Sequence, residues 1–286
     1  MRLRSALVSL VLVFVCASAQ AIEPIAVQAM NDGSVAVLSR YHGLWKYDGP
    51  RSTQLVKDFG TLEPSELTTD GNTYFIALVG SLRAGDPNAR VERWGDNGRR
   101  IGSWPIGGYG TAPTGLTFDV ANQIVYCADG RSGDVFRLDL RSARPAFARL
   151  FRIPNVGAVG PLVVDAARKR LIVADVQKGR ILSVPIDKPV VEVLVDTGTV
   201  AAPSAMTLDG NGRLFVTDSA KARVWMGDVR SPKVTLRLFA QNSTFKEPVG
   251  VAVARDGTTW IADRGARMLR QFASDGRELR KMDISR

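Results

Sequence analysis

From Ile22 to the end of the chain, short apolar runs alternate with polar turns, and the alternation recurs with a period of about 40 to 50 residues. The clearest copies begin at Pro113 (PTGLTFDVANQIVYCADG), Pro203 (PSAMTLDGNGRLFVTDSA) and Pro248 (PVGVAVARDGTTWIADRG). Each is an apolar strand, a Gly/Asp/Asn turn, and a second apolar strand ending in Asp. Successive residues of a strand point to opposite faces, so a continuous apolar run such as LIVAD (171–175) needs apolar partners on both sides. Turns such as Asp209-Gly210-Asn211-Gly212 and Ser274-Asp275-Gly276 supply the positive φ angles that tight hairpins require.

Six such units follow one another, starting near Pro24, Pro64, Pro113, Gly160, Pro203 and Pro248, each with four predicted strands. Short-strand repeats of this length predict an all-β chain, a six-bladed β-propeller of four-stranded antiparallel blades. No helix of useful length is expected after residue 21. Blade four departs slightly, with Pro161 two positions later than the other repeat prolines. Blade one holds all four of its strands and blade six ends in its own fourth, RELRKMDI (277–284). No strand is left over for exchange between the termini, so the ring should close by face-to-face packing of blades one and six.

The chain therefore divides into residues 1–21 and a propeller over 22–286. The first segment reads as a secretory signal peptide: Arg2 and Arg4, an apolar run from Ala6 to Val15, and small residues at Ala19 and Ala21. The run is too short to span a bilayer, which takes about 20 apolar residues. Val15 before Cys16 argues against lipid anchoring, and no later stretch predicts a transmembrane helix. The protein is expected outside the cytoplasm, in a periplasm or in the extracellular space. The remaining cysteine, Cys127, lies in the apolar run IVYCAD and reads as a small buried hydrophobe. Without Arg2 and Arg4 the formal charge falls from +10 to about +8. Outside the cytoplasm that charge points to a small acidic ligand, an envelope protein, or an anionic membrane or cell-wall surface, and not to nucleic acid.

Blades five and six resemble NHL repeats, whose pattern runs Pro-x-Gly-Val-Ala-Val, a glycine turn, a Val/Ile-Ala-Asp strand, then Arg and an aromatic strand; here it reads PVGVAVARDGTTWIADRGARMLRQFASDGREL from Pro248. The similarity extends loosely over all six units from about residue 23. It implies a propeller and leaves the activity open, because six-bladed propellers include binding modules, lactone hydrolases of the gluconolactonase and senescence-marker kind, and lyases. The lactonase-like members hold a divalent metal on Glu and Asn at the channel mouth. The matching positions here are Ile25, Ser65, Thr114, Gly160, Ser204 and Val249, and none is Asp, Glu or Asn. That metal site does not carry over, no metal site is assigned, and no cofactor is implied.

Candidate chemistry is confined to a few residues. The repeated Asp129, Asp175, Asp218 and Asp263 read as turn-binding carboxylates, with Arg180, Arg223 and Arg267 as partners for three of them. Loops between second and third strands share one end of the ring with the loops that link blades. That end carries Arg40, Tyr41, His42, Arg83, Arg131, Lys178, Lys221 and Arg264, together with an insertion at Gly80–Ala89 and the glycine-rich segment around Tyr109. Guanidinium and phenol groups on a rigid frame suit oxyanions. The binding set is accordingly Arg40, Tyr41, His42, Arg83, Tyr109, Arg131, Lys178 and Arg264. Glu23, Glu63 and Glu247 precede the repeat proline in neighbouring blades and Glu66 lies just beyond the one in blade two. With His42, the lone histidine, the residues Glu63, Glu66 and Glu247 make the alternative site of a hydrolase or lyase. The first reading is a non-enzymatic binding module.

Overall fold

The computed structural model describes residues 22–80, 88–108, 110–240 and 243–285. Six sheets of four antiparallel strands each run in simple sequence order, from blade one (Pro24–Ala29, Val35–Ser39, Gly43–Asp48, Arg51–Val56) to blade six (Pro248–Val253, Thr259–Asp263, Met268–Phe272, Glu278–Asp283). The first strands pack against one another around the ring, each on the next and the last on the first, and enclose a central channel. The only helical turn among the described residues is Ala166–Arg168, between the first two strands of blade four.

The continuous apolar runs pack as their periodicity demands. In the second strand of blade one, Ala36 and Leu38 join the cluster shared with blade two, while Val35 and Val37 join the one shared with blade six. In blade three, Tyr126 and Ala128 face blade four, and Val125 and Cys127 face blade two. Each junction between neighbouring blades has its own apolar cluster. Cys127 is fully buried, and that burial pushes its thiol pKa far up, as a packing residue requires.

Closure involves no strand exchange. Pro24–Ala29 pairs with Val35–Ser39 of its own blade, and Glu278–Asp283 pairs with the third strand of blade six. The seam is apolar: Ile22, Val27 and Val37 pack with Ala252, Trp260 and Ile284. A Cβ on Gly250 would lie 3.0 Å from both the backbone nitrogen and a methyl of Val27, so the missing side chain lets these inner strands approach. The turn into the third strand also limits residue choice. Gly43 has φ of +67° and a Cβ there would sit 1.9 Å from the Val56 carbonyl oxygen.

Candidate functional site

One irregularity recurs at the mouth of the channel. Where each inner strand begins, the ladder slips by a residue, between Pro24 and Ala26, Pro64 and Glu66, Pro203 and Ala205, and Pro248 and Gly250, with equivalent bulges in blades three and four. A bulge re-aims the side chains beside it. The slipped residues stand where lactonase-like propellers would carry metal ligands, and at two of these positions a hydroxyl links neighbouring blades instead. Thr114 Oγ1 donates to the Val159 carbonyl of the next blade at 2.7 Å, and Ser204 Oγ to that of Pro248 at 2.9 Å.

The residue just past the bulge is small in most blades: Ala26, Gly115, Ala205 and Gly250. In blade two it is Glu66. Below the mouth the channel narrows to a cavity of about 30 Å3 lined by Glu66 with Leu67, Leu116, Leu162 and Met206 among others, room for little more than water. Part of the Glu66 surface opens to this channel, but protein surrounds the carboxyl. That burial outweighs a hydrogen bond from the Leu67 N–H and raises the pKa from 4.5 to about 8. At neutral pH the collar is therefore closed by an uncharged carboxylic acid.

Above the collar lies a cavity of about 310 Å3 bounded by blades one, two, five and six. Its polar lining is Arg40, Glu63, Glu66, Ser65, Ser204, Ser219 and Arg264, and Ile25, Val79 and Val249 supply apolar wall. Arg264 is committed: its Nε donates to Glu247 Oε2 at 3.0 Å and its Nη2 donates to Oε1. This pairing holds the Glu247 carboxyl below its ordinary range. Arg40 and Glu63 are exposed on opposite sides of one blade junction. Neither side chain has a hydrogen-bond or ion-pair partner among the described residues, although both line the same cavity.

The sequence-predicted residues divide. Arg40 and Arg264 line the mouth, as do Glu63 and Glu66 of the alternative set. Glu247 stands behind it, held by Arg264. Glu23 is exposed close enough to Arg264 to act on it electrostatically. Among the described residues no group of three carboxylate, His or Cys side chains converges as a metal site would require. Tyr41 is exposed on the loop after Arg40. His42 follows it, with a buried Nδ1 that finds no partner among the described residues, and does not line the mouth cavity. Arg131, Lys178 and Lys221 hold their own loops, donating to the carbonyls of Gly110, Asn155, and Gly198 and Thr199. Arg83, most of the insertion and Tyr109 lie outside the described residues.

The repeated aspartates explain why four blades are alike and two differ. Asp218 accepts hydrogen bonds from the backbone N–H groups of Ala201, Ala202 and Lys221, and Asp263 from those of Lys246, Glu247 and Ala266. Asp129 and Asp175 bind their loops in the same manner. Each carboxylate staples the loop entering its blade to the turn leaving the second strand. Of the expected arginine partners, Arg180 pairs with Asp175 at 3.0 Å. Arg223 lies over the Trp225 ring instead, and Arg267 occupies a left-handed turn position at φ of +55°. Blade one has Ser39 at the staple position, opposite Pro24, and blade two has Leu78, opposite Pro64. Ser39 Oγ is buried with no partner among the described residues. The two unstapled blades contribute Arg40, Glu63 and Glu66 to the mouth. The substitution of Ser and Leu for Asp was legible in the repeat alignment and would have pointed to this side of the ring.

No protein-family model matches the chain, and no curated protein matches it. Solved structures do. A chain of a nidogen/laminin complex superposes with a TM-score of 0.68 at 12% identity, covering 85% of this chain and 90% of that one. A streptogramin B lyase gives 0.66 at 14% identity, over 93% of this chain and 85% of the other. An auxiliary nutrient binding protein from Bacteroides thetaiotaomicron VPI-5482 gives 0.68 at 12% identity, over 88% and 69%. At these identities the likeness is one of fold, and the chain is a six-bladed β-propeller.

Proposed function

We propose that this chain is an exported binding propeller of NHL type whose channel mouth takes a small ligand bearing a carboxylate or comparable oxyanion. The leader-like residues 1–21 support export, and no helix among the described residues is long and apolar enough to cross a membrane. One observation carries the reading. Arg40 lines the mouth cavity without a partner among the described residues, and the buried acid of the same cavity, Glu66, is uncharged at neutral pH and does not repel an anion. A cavity of about 310 Å3 suits a small molecule. The presence of a nutrient binding protein among the fold neighbours is in keeping with such a role.

Calorimetric titration of the purified protein with acetate, succinate and phosphate at low and high salt tests this. Arg40→Ala should weaken binding about ten- to a hundredfold, the loss of a charge-assisted hydrogen bond, and added salt should weaken it further by screening. Affinity indifferent to both would defeat the proposal. A second reading, a hydrolase or lyase, is favoured by Glu66 itself, since a protonated carboxyl at a channel mouth is placed to act as a general acid. Turnover of a lactone or ester that disappears in Glu66→Gln would put this reading first.

A further inference from the structure

The lining of the mouth is not uniformly basic, and this bears on what the carboxylate-bearing ligand must also carry. Arg264 is neutralised by Glu247, and Glu66 is uncharged at neutral pH. One cation, Arg40, and one anion, Glu63, remain on the cavity wall. They stand on different blades. Arg40 follows the second strand of blade one, its backbone N–H held by the Glu23 carbonyl at 3.2 Å. Glu63 opens the inner strand of blade two and pairs in the ladder with Val79. Flexible opposite charges that share a cavity gain by meeting, yet these two form no ion pair. Both charges are left to a ligand that enters the cavity they line.

We propose that the mouth recognises a small zwitterion, with the ligand's carboxylate on Arg40 and its ammonium on Glu63. This rests on the carboxylate reading of the same site and adds the second charge. A plain carboxylate satisfies Arg40 but enters beside the Glu63 charge. A plain amine meets the reverse opposition. A zwitterion satisfies both and leaves the net charge of the cavity unchanged, which matters where low-dielectric walls make an unpaired charge costly. The hydroxyls of Ser65, Ser204 and Ser219 donate to the carbonyls of Ala77, Pro248 and Ala202, and their oxygens on the same wall can accept from an ammonium. Ile25, Val79 and Val249 limit the rest of the ligand to a short apolar group, and the narrow collar bars a long one.

The experiment is a titration with glycine, L-alanine, β-alanine and 4-aminobutyrate, which vary the spacing of the two charges, and with propionate and propylamine, which carry one charge each. At least one zwitterion should bind about tenfold or more tightly than propionate, each added charged contact being of that order. Glu63→Gln should abolish that preference while propionate binds as well as before or better, and Arg40→Ala should weaken both. Both side chains are exposed, so an unchanged melting temperature will confirm folding. If propionate binds through Arg40 as tightly as every zwitterion, the zwitterion proposal is overturned and the carboxylate reading stands. If propylamine binds through Glu63 and no carboxylate binds, both are overturned.

Discussion

Replacing Glu66 by Gln removes a proton equilibrium while keeping the size of the side chain and an oxygen that can accept the Leu67 N–H. In the folded protein the carboxyl ionises only near pH 8, against 4.5 for an ordinary glutamate. Below pH 4.5 both folded and unfolded chains carry the proton and the site is neutral to stability. Between 4.5 and 8 the folded state holds a proton that the unfolded state has released, so stability falls as pH rises. Each unit of that window is worth about 1.4 kcal/mol, giving a ceiling of about 5 kcal/mol, which access to channel water reduces. The Gln variant lacks this term. Its stability advantage over the natural protein should grow by about 2–4 kcal/mol from pH 5 to pH 8 and then level off. Urea unfolding followed by tryptophan fluorescence at pH 5, 6, 7 and 8 measures the difference directly, and every other titrating group cancels in it. A gap that stays flat across this range, or one that widens below pH 5, would refute the placement of Glu66 as a buried neutral acid.

Two further outcomes concern the blade staples. Asp175→Ala strips Gly157 and Lys178 of an acceptor and leaves the half-buried Arg180 without its carboxylate; urea midpoints should report a loss of about 3–5 kcal/mol, with hydrogen exchange accelerating first at the Gly157 and Lys178 amides. Ser39→Ala removes a buried hydroxyl that has no partner among the described residues, so thermal unfolding should show a gain of about 1 kcal/mol; a loss of that size would mean that the hydroxyl is bonded in solution.

The sequence by itself determined the ring. Strand pattern and turn chemistry are local, and each unit repeats them, so a run such as IVYCAD declares apolar surfaces on both faces before any neighbour is known. Face-to-face blades are what such runs require, and the opposite packing of Tyr126 and Cys127 is the same alternation seen in three dimensions. The structural role of Asp129, Asp175, Asp218 and Asp263 was legible for a related reason, since a residue that every turn needs recurs at every turn. What recurs cannot distinguish one blade from another, and the candidate site is made of exceptions. Glu66 stood out in the sequence only as a glutamate beyond a proline. Its uncharged state arises because closure of the ring sets it among the small residues of other blades and the apolar walls of the channel. The basic loop residues looked alike as a list, yet Arg264 is neutralised by Glu247, Lys178 and Lys221 are bound to their own loops, and Arg40 faces the cavity. Those differences depend on distances between blades far apart in sequence, and only the tertiary structure decides them.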